Sequence, residues 1–163
     1  MTVRITPWQE ADREAVIALI LAIQTAEFGF AITRADQPDL ENVEAYYGSG
    51  AGGFWCAWMG DELAGTIALK DIGGGHAALR KMFVAKPFRG PEYAVARQLL
   101  EALKSHAASH GITQIWLGTT PVFTAAHRFY EKNGFARVNP EDLPPAFPRM
   151  ALGSVFYRRA LGG

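Results

Sequence analysis

The stretch Phe88–Leu100, FRGPEYAVARQLL, begins as a tight loop and ends as an amphipathic helix. Apolar residues recur with the spacing of one helix face: Ala96, Leu99, Leu100, Leu103 and Ala107. This spacing predicts a helix that packs on a sheet. A loop that enters the first turn of a helix is a ready anion site, because the first N–H groups lack acceptors and the dipole is positive there. Read alone, the stretch leaves two interpretations open: a phosphate-binding loop, or a packed helix that starts after Gly90-Pro91.

The composition indicates one domain over residues 1–163. With 49% hydrophobic and 20% charged residues, the chain can fill one core and is too short for two ordinary domains. Its 16 basic residues balance 16 acidic ones, so no overall field draws the protein to nucleic acid or to a membrane surface. We expect neither partner, and any charged ligand must be held locally.

Cysteine and histidine usage indicates a reducing compartment and no metal site. The single cysteine, Cys56, has no internal disulfide partner, and no His/Cys cluster has zinc spacing. Cys56 lies in the apolar run FWCAWM, where we expect a buried thiol rather than a nucleophile. No signal-peptide pattern opens the chain, and no run approaches the ~18 apolar residues of a membrane span. We therefore expect a cytoplasmic protein.

Periodicity and turn residues predict an α/β fold, a mixed sheet with helices on both faces. The predicted strands cover residues 3–6, 54–59, 63–70, 77–84, 112–117, 135–138 and 155–159. The predicted helices cover residues 11–24, 40–47, the helix of the opening stretch, which Gly111 ends, and 122–132. Asn133-Gly134 has the arrangement of a helix C-cap. The almost continuously apolar run 112–117 favours a strand covered on both faces.

Segments on both sides of the opening stretch carry a family resemblance. In chain order they are LRKMFVAKPFRG (79–90), IWLGTT (115–120) and AAHRFYEKNGF (125–135). Together they resemble the GCN5-related N-acetyltransferase (GNAT) family, and FYEKNGF is the most specific of them. The last segment, LPPAFPRMALGSVFYRRAL (143–161), looks like the tail of a bacterial branch of that family. The resemblance implies a single GNAT-like domain with a mostly antiparallel central sheet.

The resemblance also implies acetyl-CoA as co-substrate and suggests the residues that hold it. In the family, the strand before the loop pairs through its backbone with the pantetheine arm; the matching residues are Met82, Phe83 and Val84. The loop and helix start bind the pyrophosphate with backbone N–H groups; the matching residues are Arg89, Gly90, Glu92, Tyr93, Ala94, Val95, Ala96 and Arg97. Thr120 either supplies a polar contact or acts as a cap. Phe123 stands where an asparagine often contacts the cofactor.

The loop departs from the family pattern in length and in one residue. The usual spacing between the Arg-Gly pair and the Leu-Leu pair is two residues shorter than the spacing from Arg89 to Leu99. The loop is therefore longer or differently wound. Ala94 stands where glycine is usual, which adds one methyl group and still permits a helix start.

The resemblance gives Tyr130 the role of the acid that protonates the departing CoA thiolate. A phenol with an ordinary pKa of ~10 is protonated at neutral pH and can donate to a thiolate whose conjugate acid titrates at ~8.5. The alternative is a core aromatic, because Tyr130 shares a predicted helix face with Ala126 and Phe123.

An amine must be neutral to attack a thioester, so we expect a base that removes its proton. This base is harder to assign than the acid. Many family members carry a glutamate at the start of the pattern that reads ALRKM here, so Ala78 takes its place. His76 would share a strand face with Ala78 and titrates near neutrality, which makes it the candidate base. It could equally be an exposed turn histidine after GGG. His127 is either a surface residue or part of the site.

These observations predict an N-acetyltransferase that moves an acetyl group from acetyl-CoA to an amine of a small molecule or peptide. The amine attacks directly in a ternary complex, the backbone of Phe83 and Val84 polarises the carbonyl, and no residue is acylated. Aromatic residues after the first helix, together with residues 140–150, would favour an acceptor with an apolar part.

One alternative is a catalytically inactive CoA-binding or regulatory module, since Ala78 replaces the usual glutamate. Another is a nucleotide-binding protein, although no Lys-Ser/Thr follows the loop. A homodimer is a further expectation.

Overall fold

A sheet of seven strands organises the computed structural model, which describes residues 2–149 and 154–161. The strands are β1 (Val3–Pro7), β2 (Gly53–Met59), β3 (Glu62–Gly73), β4 (His76–Val84), β5 (Gln114–Thr119), β6 (Ala136–Val138) and β7 (Val155–Ala160). The helices are α1 (Arg13–Leu21), α2 (Pro38–Glu41), α3 (Val43–Tyr47), α4 (Val95–Ser109) and α5 (Thr124–Lys132). No helix in this part of the chain is long and apolar enough to cross a membrane.

The sheet has the order β1-β2-β3-β4-β5-β7-β6, and only the β4/β5 pair is parallel. The predicted mixed, mostly antiparallel fold and its element order are confirmed.

The predicted helix 40–47 is instead two short helices, because Asn42 leaves helical geometry and its side chain donates to the carbonyl of Pro38. The predicted helix 11–24 has α1 as its middle, with a 3₁₀ turn before it and a π-helical turn, Ala22–Glu27, after it. Met150 of the segment 140–150 lies outside the described residues.

Helices cover both faces of the sheet. On one face, Leu99, Leu100 and Leu103 of α4 are fully buried in a core that also contains Tyr130 of α5. A Cβ at Gly65 of β3 would lie 3.1 Å from a methyl carbon of Leu99, so this glycine lets α4 approach the sheet closely. On the other face, α1, α2 and α3 form a second core with β2 and β3.

Strands β4 and β5 diverge soon after they begin. They pair only over His76–Ala78 with Gln114–Trp116, while β5 goes on to pair with β7 up to Thr119. The rest of β4 therefore has no strand partner on the β5 side in the described structure. This divergence opens a gap beside the second half of β4.

A β-bulge interrupts β4 next to this gap. Thr66 pairs with Phe83 and Ala68 pairs with Arg80, so Lys81 and Met82 together lie opposite one residue of β3. Lys81 has a φ of +54°, in the left-handed region, and its carbonyl accepts a hydrogen bond from the Thr66 hydroxyl at 2.7 Å. The bulge breaks the alternation of side chains along β4.

The loop before α4 closes in a tight turn. The N–H groups of Tyr93 and Ala94 both donate to the carbonyl of Gly90, at 3.2 and 3.3 Å. Ala94 adopts a φ of +51° immediately before the helix starts at Val95. Glycine adopts this conformation without penalty, whereas alanine is strained in it. The loop thus closes as a turn and leaves the helix start at Val95 intact.

The predicted C-cap of α5 is confirmed at Asn133-Gly134. The N–H of Phe135 donates to the carbonyl of Tyr130 at 3.0 Å, the N–H of Gly134 donates to that of Glu131, and Gly134 has a φ of +88°. These two bonds and the contact between the Phe135 and Tyr130 rings, 5.5 Å between centroids, define a Schellman motif. The FYEKNGF segment therefore fixes the end of α5 around Tyr130.

We predict that Ala94→Gly raises the free energy of unfolding by about 0.5–1 kcal/mol. The left-handed conformation costs a non-glycine residue ~1–2 kcal/mol, of which the greater chain entropy of glycine offsets ~0.5–1 kcal/mol. Urea denaturation measures the change. The matched control is Ala102→Gly in the middle of α4, where the same substitution costs about 1 kcal/mol. Equal destabilisation by both substitutions would show that Ala94 carries no backbone strain.

Candidate active site

A first cavity, the α4–α5 cavity, lies between the start of α4 and one face of α5. It has a volume of about 830 Å³. Its walls are the end of β4, the loop before α4, the first turn of α4, and α5 with the residues before it; they include Met82, Val84, Arg89, Gly90, Ala94, Val95, Ala96, Arg97, Phe129 and Asn133. The cavity therefore joins a free strand edge to a helix N-terminus.

A second cavity, the α2 cavity, lies on the side of the sheet that α2 covers. It has a volume of about 700 Å³. Residues from the first helical region, from β4, from the end of β5 and from the segment before Met150 line it; they include Gln24, Phe30, Asp39, Arg80, Lys81, Thr119, Thr120, Phe147 and Arg149.

The two cavities meet at the gap between β4 and β5. Five residues line both of them: Met82, Phe83, Phe123, Ala126 and Tyr130. The rings of Phe28 and Phe30 pack against Phe123, with centroids 4.7 and 5.7 Å away. The junction is therefore a largely apolar passage in which Tyr130 supplies a polar side-chain atom.

Tyr130 is buried, with 5% of its surface exposed, and its ring packs between Phe135 and Tyr157. Burial raises the pKa of Tyr130 well above its ordinary value, because the phenolate would be poorly solvated, and no hydrogen bond within residues 2–149 and 154–161 contributes to this shift. Tyr130 is thus a protonated phenol that lines both cavities at the junction.

The start of α4 can hold an anion. The first backbone bond within the helix joins the N–H of Gln98 to the carbonyl of Ala94. The N–H groups of Val95, Ala96 and Arg97 precede it, have no backbone acceptor in the described structure, and belong to residues that line the α4–α5 cavity. A phosphate group matches such donors. The cavity therefore fits both parts of acetyl-CoA expected from the sequence: an extended arm along β4 and a pyrophosphate at α4.

Arg89 lines the same cavity but already has partners. Its guanidinium donates to both carboxylate oxygens of Glu27, at 2.5 and 2.8 Å, and to the carbonyl of Val84 at 2.8 Å. This ion pair holds the pKa of Glu27 below its ordinary value. Arg89 thereby ties the end of the π-helical turn to the loop before α4.

Three of the residues assigned to the cofactor from the sequence lie outside the α4–α5 cavity lining. Glu92 is exposed on the loop, and the Tyr93 ring packs against Phe88, 5.7 Å between centroids. Thr120 lines the α2 cavity, where its hydroxyl accepts a hydrogen bond from the N–H of Val122.

The structure does not bring His76 to Tyr130. His76 is at the start of β4, six residues or ~20 Å of extended strand before Met82. Its Nδ1 accepts a hydrogen bond from the Trp116 indole at 2.9 Å, and it lines neither cavity. His127 also lines neither cavity, and its Nε2 donates to the carbonyl of Thr120 at 2.9 Å. Both histidines have structural partners.

Sequence reasoning missed the charged lining of the α2 cavity. Lys81 forms a buried ion pair with Asp39, 3.5 Å between Nζ and Oδ2. Burial lowers the pKa of Lys81, although Asp39 opposes this shift. The signal in the sequence was the pair Arg80-Lys81 between the apolar stretches 77–79 and 82–84, since two adjacent cations inside an apolar strand indicate a bulge.

The chain is similar in sequence to known N-acetyltransferases. An N-acetylaspartate synthetase of Danio rerio is 33% identical over 124 residues, which are 74% of this chain and 43% of that protein. The uncharacterized N-acetyltransferase YedL of Escherichia coli (strain K12) is 35% identical over 89 residues, 53% of this chain and 55% of that protein. The chain spans about half the length of these curated relatives.

A solved structure and a family model extend the similarity to the fold. An acetyltransferase of the GNAT family from Staphylococcus aureus superposes with a TM-score of 0.94 at 36% identity, covering 99% of this chain and 100% of that one. The model of the acetyltransferase (GNAT) family matches residues 17–135, from α1 to the end of the FYEKNGF segment. Most of the chain, including both walls of the gap, lies within that match, and the chain belongs to the GNAT acetyltransferase family.

Proposed function

We propose that this chain transfers the acetyl group of acetyl-CoA to an amine of a small molecule or peptide. The observation that carries the proposal is the unpartnered Tyr130 hydroxyl at the junction of two cavities. One cavity fits the co-substrate of the family, and the other is left for an acceptor. Direct attack within a ternary complex then needs only that the two reactants meet at the junction.

Acetyl-CoA supplies an activated acetyl group as a thioester. The free edge of β4 from Met82 to Val84 would hold the pantetheine arm, and its backbone N–H groups would polarise the thioester carbonyl. The N–H groups of Val95, Ala96 and Arg97 would hold the pyrophosphate. Together these contacts orient the acetyl group toward the α2 cavity.

Tyr130 acts as the general acid. Its hydroxyl donates a proton to the sulfur of the leaving group as negative charge develops there. Burial raises the pKa of Tyr130, which keeps the phenol protonated at neutral pH but also makes it a weaker acid than in water. The Schellman motif at the end of α5 holds the phenol in place.

The amine must lose a proton before it attacks. Ala78 is buried and has no titratable group, and His76 is engaged by Trp116 far from the junction. We therefore propose that a water molecule in the α2 cavity carries this proton to solvent. A cytoplasmic location and a homodimer through the sheet edges β1 and β6 also remain proposals.

An inactive CoA-binding module is the main alternative. It would keep the strand edge and the start of α4, but it would not need a hydroxyl at the junction. An N-acetyltransferase assay with a panel of amines separates the two, because acetyl-CoA consumption that depends on an amine excludes the inactive module. Isothermal titration with acetyl-CoA and ATP in parallel tests the nucleotide-binding alternative.

We predict that Tyr130→Phe lowers kcat by about 10²-fold or more while the free energy of unfolding stays within about 0.5 kcal/mol. The hydroxyl forms no hydrogen bond in the described structure, so its loss removes an acid and no protein contact. Steady-state kinetics and urea denaturation measure the two effects.

Tyr157→Phe is the matched control. Tyr157 is also buried, 6.0 Å from Tyr130 between ring centroids, but its hydroxyl donates to Glu131 at 2.7 Å. We expect this substitution to cost about 1 kcal/mol of stability and to leave kcat within about 2-fold. If both substitutions change kcat equally, Tyr130 is not the acid.

We predict that Cys56→Ala retains the wild-type kcat. Cys56 is fully buried in β2, and burial raises the pKa of its thiol to about 12. Iodoacetamide at pH 8 should leave the folded protein unmodified and alkylate it in urea. Loss of turnover in Cys56→Ala, with folding intact, would indicate an acylated cysteine and contradict direct attack.

A further inference from the structure

The α2 cavity has more cationic side chains than carboxylates to neutralise them. Five charged residues line it: Asp36, Asp39, Arg80, Lys81 and Arg149. The two carboxylates already accept hydrogen bonds within the protein, whereas the guanidinium groups of Arg80 and Arg149 have no carboxylate partner in the described structure.

Asp39 and Lys81 neutralise each other. Asp39 is 4% exposed and accepts a hydrogen bond from the Tyr47 hydroxyl at 2.5 Å in addition to its ion pair with Lys81. Lys81 also donates to the amide oxygen of Gln37 at 2.8 Å. The Lys81 ammonium group therefore already has an anionic partner within the protein.

Asp36 is engaged as a cap of its own turn. Its carboxylate accepts hydrogen bonds from the N–H and from the hydroxyl of Thr33, at 2.9 and 3.0 Å. Those bonds hold its charge at the start of the 3₁₀ turn Arg34–Asp36, on the cavity rim. Neither Asp36 nor Asp39 forms an ion pair with Arg80 or Arg149 in the described structure.

Arg80 is the better placed of the two cations. It is half-buried, and no ion pair within residues 2–149 or 154–161 includes it or Arg149. The bulge after it turns Lys81 toward the same cavity, so both cations of the Arg80-Lys81 pair line one wall. Arg149 also lines the cavity, and its guanidinium donates to the carbonyl of Pro140 at 3.0 Å.

We infer that the acceptor amine carries a carboxylate, which Arg80 binds with the help of Arg149. The inference rests on the proposed function and names its class of acceptor. A guanidinium presents parallel N–H donors that match a carboxylate, and a half-buried position strengthens the pair because water screens it less. An acceptor without a carboxylate would leave Arg80 and Arg149 without an anionic partner in the cavity.

The geometry lets one small molecule reach both Arg80 and the junction. Arg80 precedes Met82, which lines both cavities, by two residues, or at most ~7 Å of strand. A carboxylate at Arg80 therefore places an amine one to three carbon atoms away close to Tyr130. Phe30 and Phe147 give the cavity aromatic walls that suit an apolar part of the acceptor, and Arg80 and Arg149 add a requirement for negative charge.

The experiment compares amines that differ only in a carboxylate. Three pairs serve as probes: aspartate with asparagine, phenylalanine with phenylalaninamide, and β-alanine with β-alaninamide. Acetyl-CoA turnover is measured for wild type, Arg80→Met and Arg128→Met, where Arg128 is an exposed cation on α5 without an ion partner in the described structure. Arg128→Met removes the same charge from the protein as a whole.

We expect wild type to prefer the carboxylate member of at least one pair. Arg80→Met should lower kcat/KM for that member about 10- to 100-fold, mainly through KM, and leave its amide within about 2-fold. Arg128→Met should behave as wild type. Arg149→Met should give a smaller loss than Arg80→Met.

Three outcomes overturn the inference. The inference is wrong if wild type acetylates the amides as well as the acids, if Arg80→Met affects both members of a pair alike, or if Arg128→Met matches Arg80→Met. All three outcomes leave acetyl transfer itself intact. Absence of turnover with every amine contradicts the proposed function and, with it, the inference, so the two failures are distinguishable.

Discussion

The parallel pairing of β4 with β5 ends after three residue pairs, and the rest of the site depends on that limit. Backbone N–H and C=O groups in a sheet normally satisfy one another, so a strand that loses its neighbour must find other partners. Here the open edge of β4 faces a cavity between α4 and α5. Had the two strands stayed paired, β4 would present no open edge to the α4–α5 cavity, and the two cavities would have no connection through the sheet.

The bulge at Lys81 and Met82 determines which side chains of β4 face each side of the sheet next to that gap. Along a regular strand, Arg80 and Lys81 would point to opposite faces, and one cation would enter the core beneath α4. The additional residue sends both to the α2 side and returns Met82 to the core with Leu79. This arrangement requires Lys81 to adopt a left-handed backbone conformation, which is strained for a residue with a side chain. Strain of this kind is common where a site must be held in one geometry.

The fold was largely predictable from the sequence, whereas the acceptor side of the site was not. The α4 spacing and the Asn133-Gly134 cap depend on local patterns, so they predict local structure well. Asp39 and Lys81 are far apart in the chain, and their contact depends on packing that no local pattern encodes. His76 illustrates the same limit: strand parity predicted its face correctly, but its place along the strand, beside Trp116, depends on where β5 begins to pair.

The Schellman motif at the end of α5 makes Tyr130 an end-anchored residue. Its carbonyl accepts a hydrogen bond from the N–H of Phe135. The direction of its side chain around the helix axis is therefore fixed relative to the end of the helix and not to its start. One residue inserted between Tyr130 and Gly134 would rotate the phenol by about 100° around the helix axis. Length changes before α5 would leave it unmoved. Insertions should therefore be absent among relatives from the four residues after the tyrosine.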